Sequence, residues 1–159
     1  MRLLAIDIGK AKSMACDYDA RSAEHAFVSA PTTPERFRAH LGERSPDRVV
    51  IEVCCSAGWI VDLCRELGIE TQVANPSHDA WRWRTVKRKC DRTDALGLAQ
   101  LSAAHQLPME GLPNGETRQW RGLIAYRHKL VRERVRVKNS IWAILRRQGL
   151  GMPDRKCWW

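Results

Sequence analysis

Leu3, Leu4, Ala5 and Ile6 form a short apolar run that meets Asp7 before it closes at Ile8. Residues 13–18 and 25–29 repeat this short, strand-like character, so the chain is expected to open with three strands joined by turns. Residues 34–41 carry helical spacing after Thr33, a side chain suited to capping a helix N-terminus. Residues 48–54, R-V-V-I-E-V-C, are almost continuously apolar, which marks a strand buried on both faces and central in its sheet. A helix over 57–67 stopped by Gly68, a strand over 69–74, and helices from about 77 to 83 and about 91 to 105 complete the first part.

The order is βββαβαβα, an α/β fold with a mixed sheet and flanking helices in the ribonuclease-H-like arrangement, expected to occupy residues 1–106. Residues 107–117, L-P-M-E-G-L-P-N-G-E-T, hold two prolines and two glycines and are read as a linker. Residues 118–148 contain no proline and only Gly122, and Ile124, Val131, Val135, Trp142 and Leu145 follow one another at intervals of 7, 4, 7 and 3. This predicts a single amphipathic helix of about 45 Å at 1.5 Å per residue, too long to cover the domain's own core and therefore suited to a coiled coil with a second copy. Residues 149–159 remain as a short tail.

Composition adds a sharp asymmetry. The 159 residues are 44% hydrophobic, enough for one domain with a true core, and the formal net charge is +9. Residues 1–80 hold 9 Lys and Arg against 12 Asp and Glu, whereas residues 81–159 hold 18 against 6. A half with net charge +12 favours a polyanionic partner, because clustered basic groups release counterions from a phosphate backbone. No long apolar span or lipidation signal supports a membrane, so a nucleic acid is the expected partner and the cytoplasm the expected location. The six cysteines have no C-x-x-C pairing and no companion histidine cluster, which points to reduced thiols rather than to disulfides or zinc.

Four acids carry the chemistry. Alternation along a strand places Asp7 on the face of Leu3 and Ala5, and Glu52 on the face of Val50 and Cys54. If those strands are neighbours, the two carboxylates stand about 5 Å apart laterally. Asp91 and Asp94, in K-C-D-R-T-D-A, are three residues apart at the start of a helix and share one of its faces. Each acid alone has a plainer reading: a helix N-terminal acid, a turn cap, a salt-bridged strand residue. Together they repel by roughly 1 to 4 kcal/mol per pair at 4 Å, and divalent metal, Mg2+ or Mn2+, is the economical remedy. Two such ions suit phosphoryl transfer.

These motifs resemble one family. The opening A-I-D-I-G-K, the strand V-V-I-E-V-C with S-A-G-W-I, the Q-V-A-N strand and V-K-R-K-C-D-R-T-D-A-L are similar to the RuvC-like domain of DEDD insertion-sequence transposases. R-Q-W-R-G-L-I-A-Y-R and V-K-N-S-I-W-A-I-L-R-R-Q-G-L resemble that family's coiled-coil region, so the likeness runs nearly end to end. The resemblance implies that Asp7, Glu52, Asp91 and Asp94 are the catalytic, magnesium-holding quartet. It also implies DNA recombination guided by a structured RNA, assembly into dimers and tetramers, and a further domain bearing a serine nucleophile. No serine of this chain is assigned that role, so unaided transposition is not expected of it.

Between the last strand and Asp91 lies W-R-W-R-T-V-K-R-K. Its Arg82, Arg84, Lys87, Arg88 and Lys89, together with Arg127, Arg134 and Lys138 of the long helix, are the candidate contacts to phosphates. Trp81 and Trp83 are read as core more readily than as base-stacking residues. Three rivals stand beside the recombinase reading. An actin-type ATPase shares the D-x-G turn but needs a second lobe for which there is no room. A RuvC-like nuclease would use the same acids with water as nucleophile, and a non-enzymatic dimerising remnant would bind nucleic acid without reacting.

Overall fold

The computed structural model describes residues 1–75, 77–78 and 90–151. The chain divides into two units, Met1–Leu112 and Pro113–Trp159. In the first, β1 (Arg2–Asp7), β2 (Lys12–Asp19) and β3 (His25–Pro31) form an antiparallel meander, followed by α1 (Pro34–Arg44), β4 (Arg48–Glu52), α2 (Ala57–Glu66), β5 (Glu70–Ala74) and α3 (Asp91–Ala103). Strand order is β3-β2-β1-β4-β5, with β4 parallel to both β1 and β5. This is the ribonuclease-H-like sheet expected from the element order.

Alternation along the central strands divides the core in two. Leu4, Ile6, Val49, Ile51 and Val73 face α1 and α2, where Phe37, Leu41, Ile60 and Leu63 cover them. Leu3, Ala5, Cys16, Val50 and Ala74 face the other way and meet Ala95, Leu98 and Ala99 of α3. With both faces covered, β1 and β4 read as continuous apolar runs, and their polar ends stand out.

Local chemistry sets the element ends. Thr33 Oγ1 accepts from the Arg36 amide at 3.4 Å to start α1. That helix runs past the expected residue 41 to Arg44 because Ser45, at φ 44°, turns its amide onto the Leu41 carbonyl. Gly68 ends α2 at φ +69°, and the Ile69 amide reaches the Cys64 carbonyl at 2.9 Å, closing the last turn in the Schellman manner. β4 stops at Glu52, two residues short of the expected end, as 53–56 turn into α2. The helix expected over 77–83 lies, apart from Ser77 and His78, outside the described residues. Those two form a turn in which the Ser77 amide donates to Asn75 Oδ1 at 2.9 Å.

The Pro- and Gly-bearing stretch after α3 runs along the sheet. Leu107 is buried, the Asn75 amide donates to the Pro108 carbonyl at 2.8 Å, and Met109 bridges to Ala74. In the second unit, α4 (Gly115–Arg147) starts ahead of the expected residue 118 because Asn114 Oδ1 caps it, accepting from the Thr117 amide at 2.8 Å. Leu123, Leu130, Val137 and Ile144 fall in a strict seven-residue row on this helix and are 61%, 47%, 58% and 59% exposed. No helix among the described residues is long and apolar enough to cross a membrane.

Candidate active site at the ends of the central strands

β1 and β4 lie side by side with Leu3 opposite Arg48, Ala5 opposite Val50 and Ile6 opposite Ile51. One further step in that register sets Asp7 beside Glu52, and alternation puts both on the face shared by Ala5 and Val50, the face that α3 covers. The strands end there, so the carboxylates sit where the apolar run gives way to solvent, and both residues are half-buried. Gly9 lets the chain turn immediately afterwards: a Cβ on it would stand 2.1 Å from the Lys12 carbonyl oxygen. Thr32 Oγ1 donates to the Gly9 carbonyl at 2.9 Å and holds that turn from β3's end.

α3 brings the other two acids. Its sheet-facing side reads Asp94, Ala95, Leu98, Ala99 and Ser102, all buried. The C-terminal end is anchored at the start of β4, where Ser102 Oγ meets Arg48 Nη1 at 3.4 Å. Eight residues of helix from Ser102 back to Asp94 span about 12 Å, and four residues of strand from Arg48 to Glu52 span about 13 Å. A helix lying along the strands would thus carry Asp94 toward the ends of β1 and β4. Arg92, in the same first turn, lies 5.7 Å over the Phe27 ring of β3, which fixes the direction in which the helix crosses the sheet.

The four positions differ in exposure. Asp94 is 4% exposed, Asp7 and Glu52 are half-buried, and Asp91 is exposed at the rim. At the head of α3, hydrogen bonds from the Thr93 amide, ahead of the Thr93 side chain and the Arg92 amide, hold the Cys90 thiol below its ordinary pKa, with Asp91 opposing. The amides at this helix start thus favour negative charge. Asp7 and Glu52 end neighbouring strands on the sheet face that α3 covers, and Asp91 and Asp94 lie in the first turn of α3. Among the described residues, however, no three His, Cys, Asp or Glu side chains close into a group that could hold a metal ion.

Of the expected phosphate contacts, Arg82, Arg84, Lys87, Arg88 and Lys89 lie outside the described residues. Arg127 and Arg134 are exposed on α4, each four residues after a member of the apolar row, and Lys138 is half-buried. The described cysteines are free thiols, of which Cys16 and Cys64 are buried. Burial, with a smaller push from Asp17, raises Cys16 to about 11. Sequence reasoning missed Ser102, Gln72 and Arg48, whose polar atoms meet inside the α3 side of the core. The available signal was a serine two turns beyond Asp94 on an otherwise apolar helix face.

The family model for DEDD transposases of the IS110 group matches residues 4–148. Solved structures similar to this chain include Thermus thermophilus RuvC, at 13% identity over 69% of this chain and 100% of that one, TM-score 0.45. The fowlpox virus Holliday junction resolvase is 20% identical over 53% of this chain and 67% of its own, TM-score 0.37. The catalytic core domain of BIV integrase is 17% identical over 64% and 80%, TM-score 0.34. No curated protein matches the chain.

Proposed function

Because the chain belongs to the IS110-type DEDD transposase family, whose chemistry is phosphoryl transfer on DNA, we propose that Asp7, Glu52, Asp91 and Asp94 form a divalent-cation site at the ends of β1 and β4. The observation that carries this reading is the parallel register of β1 and β4, which sets two carboxylates side by side on the face that α3 covers with a third. Four carboxylates offer oxygen donors alone, the set that suits a hard cation such as Mg2+ or Mn2+.

Carboxylates held close together favour a bound cation. Each pair of like charges at 4 Å costs about 1 to 4 kcal/mol, whereas a helix N-terminus returns about 0.3 to 1 kcal/mol to an acid in its first turn. When bound, two such ions supply stabilisation of the attacking and leaving oxygens of an in-line displacement at phosphorus. The chain's own part is positional. Asp7 and Glu52 are held by adjacent strands, Asp94 is buried on the sheet-facing side of α3, and Asp91 is exposed, open to a phosphate arriving from solvent.

DNA is the proposed substrate, with a structured RNA as the further partner that the family resemblance implies. The basic residues Arg82, Arg84, Lys87, Arg88 and Lys89 precede Asp91 in the chain, close enough in sequence to serve the same phosphate. A second copy joined through α4 is the proposed assembly. Fluorescence anisotropy with branched DNA and structured RNA, in magnesium or chelator, tests the reading. Tight binding that depends on magnesium and is lost in Asp7→Asn, Glu52→Gln supports it. Binding indifferent to metal and to the substitutions would instead leave a non-enzymatic nucleic-acid-binding module.

A further inference from the structure

At the end of α3 remote from its acids, a polar cluster lies buried against the sheet. Ser102 is 0% exposed and Arg48 8% exposed. Ser102 Oγ donates to Gln72 Oε1 at 2.6 Å and accepts from Arg48 Nη1 at 3.4 Å. Arg48 Nε stands 3.0 Å from Glu70 Oε1 as an ion pair, in a direction that leaves Nε without an in-line acceptor. Three elements meet in this cluster: α3, the first residue of β4, and β5.

The apolar part of the α3 contact is poor at fixing a position. Between Asp94 and Ser102 its buried residues are Ala95, Leu98 and Ala99, two of them methyl groups. Apolar contact is non-directional, so a smooth face of this kind tolerates sliding along the strands. A slip of one residue moves every side chain about 1.5 Å along the helix axis and turns it by about 100°. A ligand set built on that helix does not survive such a slip, since sites demand placement within about 0.5 Å. Hydrogen bonds are directional, and Ser102 makes two of them from α3's buried face.

We propose that the Ser102–Gln72–Arg48 cluster is a register lock: it fixes α3 along the sheet so that Asp94 stands level with Asp7 and Glu52. Ser102, Gln72 and Arg48 are then positioning residues for the cation site, acting from about 12 Å along the helix. This rests on the reading of the four acids as that site. A serine that served packing alone would be replaceable by any residue of similar bulk. A serine that sets register needs its hydroxyl.

The test is a Mn2+ titration of the full chain, followed by the paramagnetic resonance signal of free Mn2+, with melting temperature recorded for each variant. Ser102→Thr keeps the hydroxyl and Ser102→Val replaces it at equal bulk; Gln72→Leu removes the partner from a half-buried strand position, which serves if Ser102→Val does not fold. Leu63→Ala, in the opposite core, supplies a loss of stability with no link to α3. A misplacement of about 1 Å can cost on the order of 100-fold at a site, so Ser102→Val and Gln72→Leu should weaken Mn2+ at least about tenfold, with Ser102→Thr within about threefold of the parent. Leu63→Ala should lower the melting temperature and keep the affinity. Parental affinity in Ser102→Val and Gln72→Leu, or a loss that Leu63→Ala matches, overturns the lock. If the parent binds no more Mn2+ than Asp7→Asn, Glu52→Gln does, the cation site itself falls and the lock falls with it.

Discussion

Gly9 and Gly42 show how differently one residue type acts at two places. A Cβ on Gly9 meets the Lys12 carbonyl oxygen at 2.1 Å, whereas one on Gly42, inside α1, has nothing within 4 Å. Gly9→Ala must therefore shift the turn that follows Asp7, at about 1 to 3 kcal/mol by the usual penalty for overpacking. Gly42→Ala should stabilise by about 0.4 to 1 kcal/mol, because it removes freedom from the unfolded chain without new strain. Urea denaturation of the two variants reads both signs. Equal effects would mean that the turn at Gly9 is not as tight as it stands here. His40 makes a second residue-scale prediction. Burial, with help from Arg44, lowers its pKa against the opposing pull of Glu43 and Asp17, and its Nε2 has no hydrogen-bond partner. A histidine held neutral in the fold binds fewer protons than in the unfolded chain. Its contribution is complete above the unfolded value of about 6.5 and is lost as pH falls below it. The drop in melting temperature between pH 7.5 and pH 5.5 should shrink in His40→Gln, and an unchanged drop would place the acid sensitivity elsewhere.

At the scale of elements, the sequence was most legible where a face is buried. Leu3 to Ile6 and Val49 to Ile51 are apolar without interruption, so their strands could be placed and Asp7 and Glu52 singled out as intruders. That β1 and β4 are neighbours was not readable, since partner choice depends on how α1 crosses the sheet. The Ser102–Gln72–Arg48 cluster was hidden for the same reason: its members are 24 and 30 residues apart in the chain, and none carries a motif. Helix ends shifted by a few residues where local capping decided them, by the Ser45 amide at the end of α1 and by the Asn114 side chain at the start of α4. α4 offers the prediction proper to this scale. Its row of Leu123, Leu130, Val137 and Ile144 adjoins the expected stripe of Ile124, Val131, Val135, Trp142 and Leu145. Seven-residue spacing of this kind suits a two-helix seam. Leu123→Lys with Leu130→Lys should therefore convert an oligomer into a monomer by light scattering. A mass unchanged by both substitutions would remove α4 as the seam.

For the whole molecule, charge and topology divide the labour. The proposed acidic site lies in the first unit, while the described part of the second unit is mainly a helix in which basic residues far outnumber acidic ones. A helix of that charge suits contact with a phosphate backbone. Family membership fixes the class of chemistry; that Asp7, Glu52, Asp91 and Asp94 carry it is the proposal to be tested. The measurement that reaches this most directly is a crystal of the chain soaked in Mn2+ and recorded at the manganese absorption edge. Anomalous density coordinated by Asp7, Glu52 and Asp94, with Asp91 at its solvent side, is the predicted result. Density absent from the ends of β1 and β4, or found only elsewhere on the molecule, would contradict it.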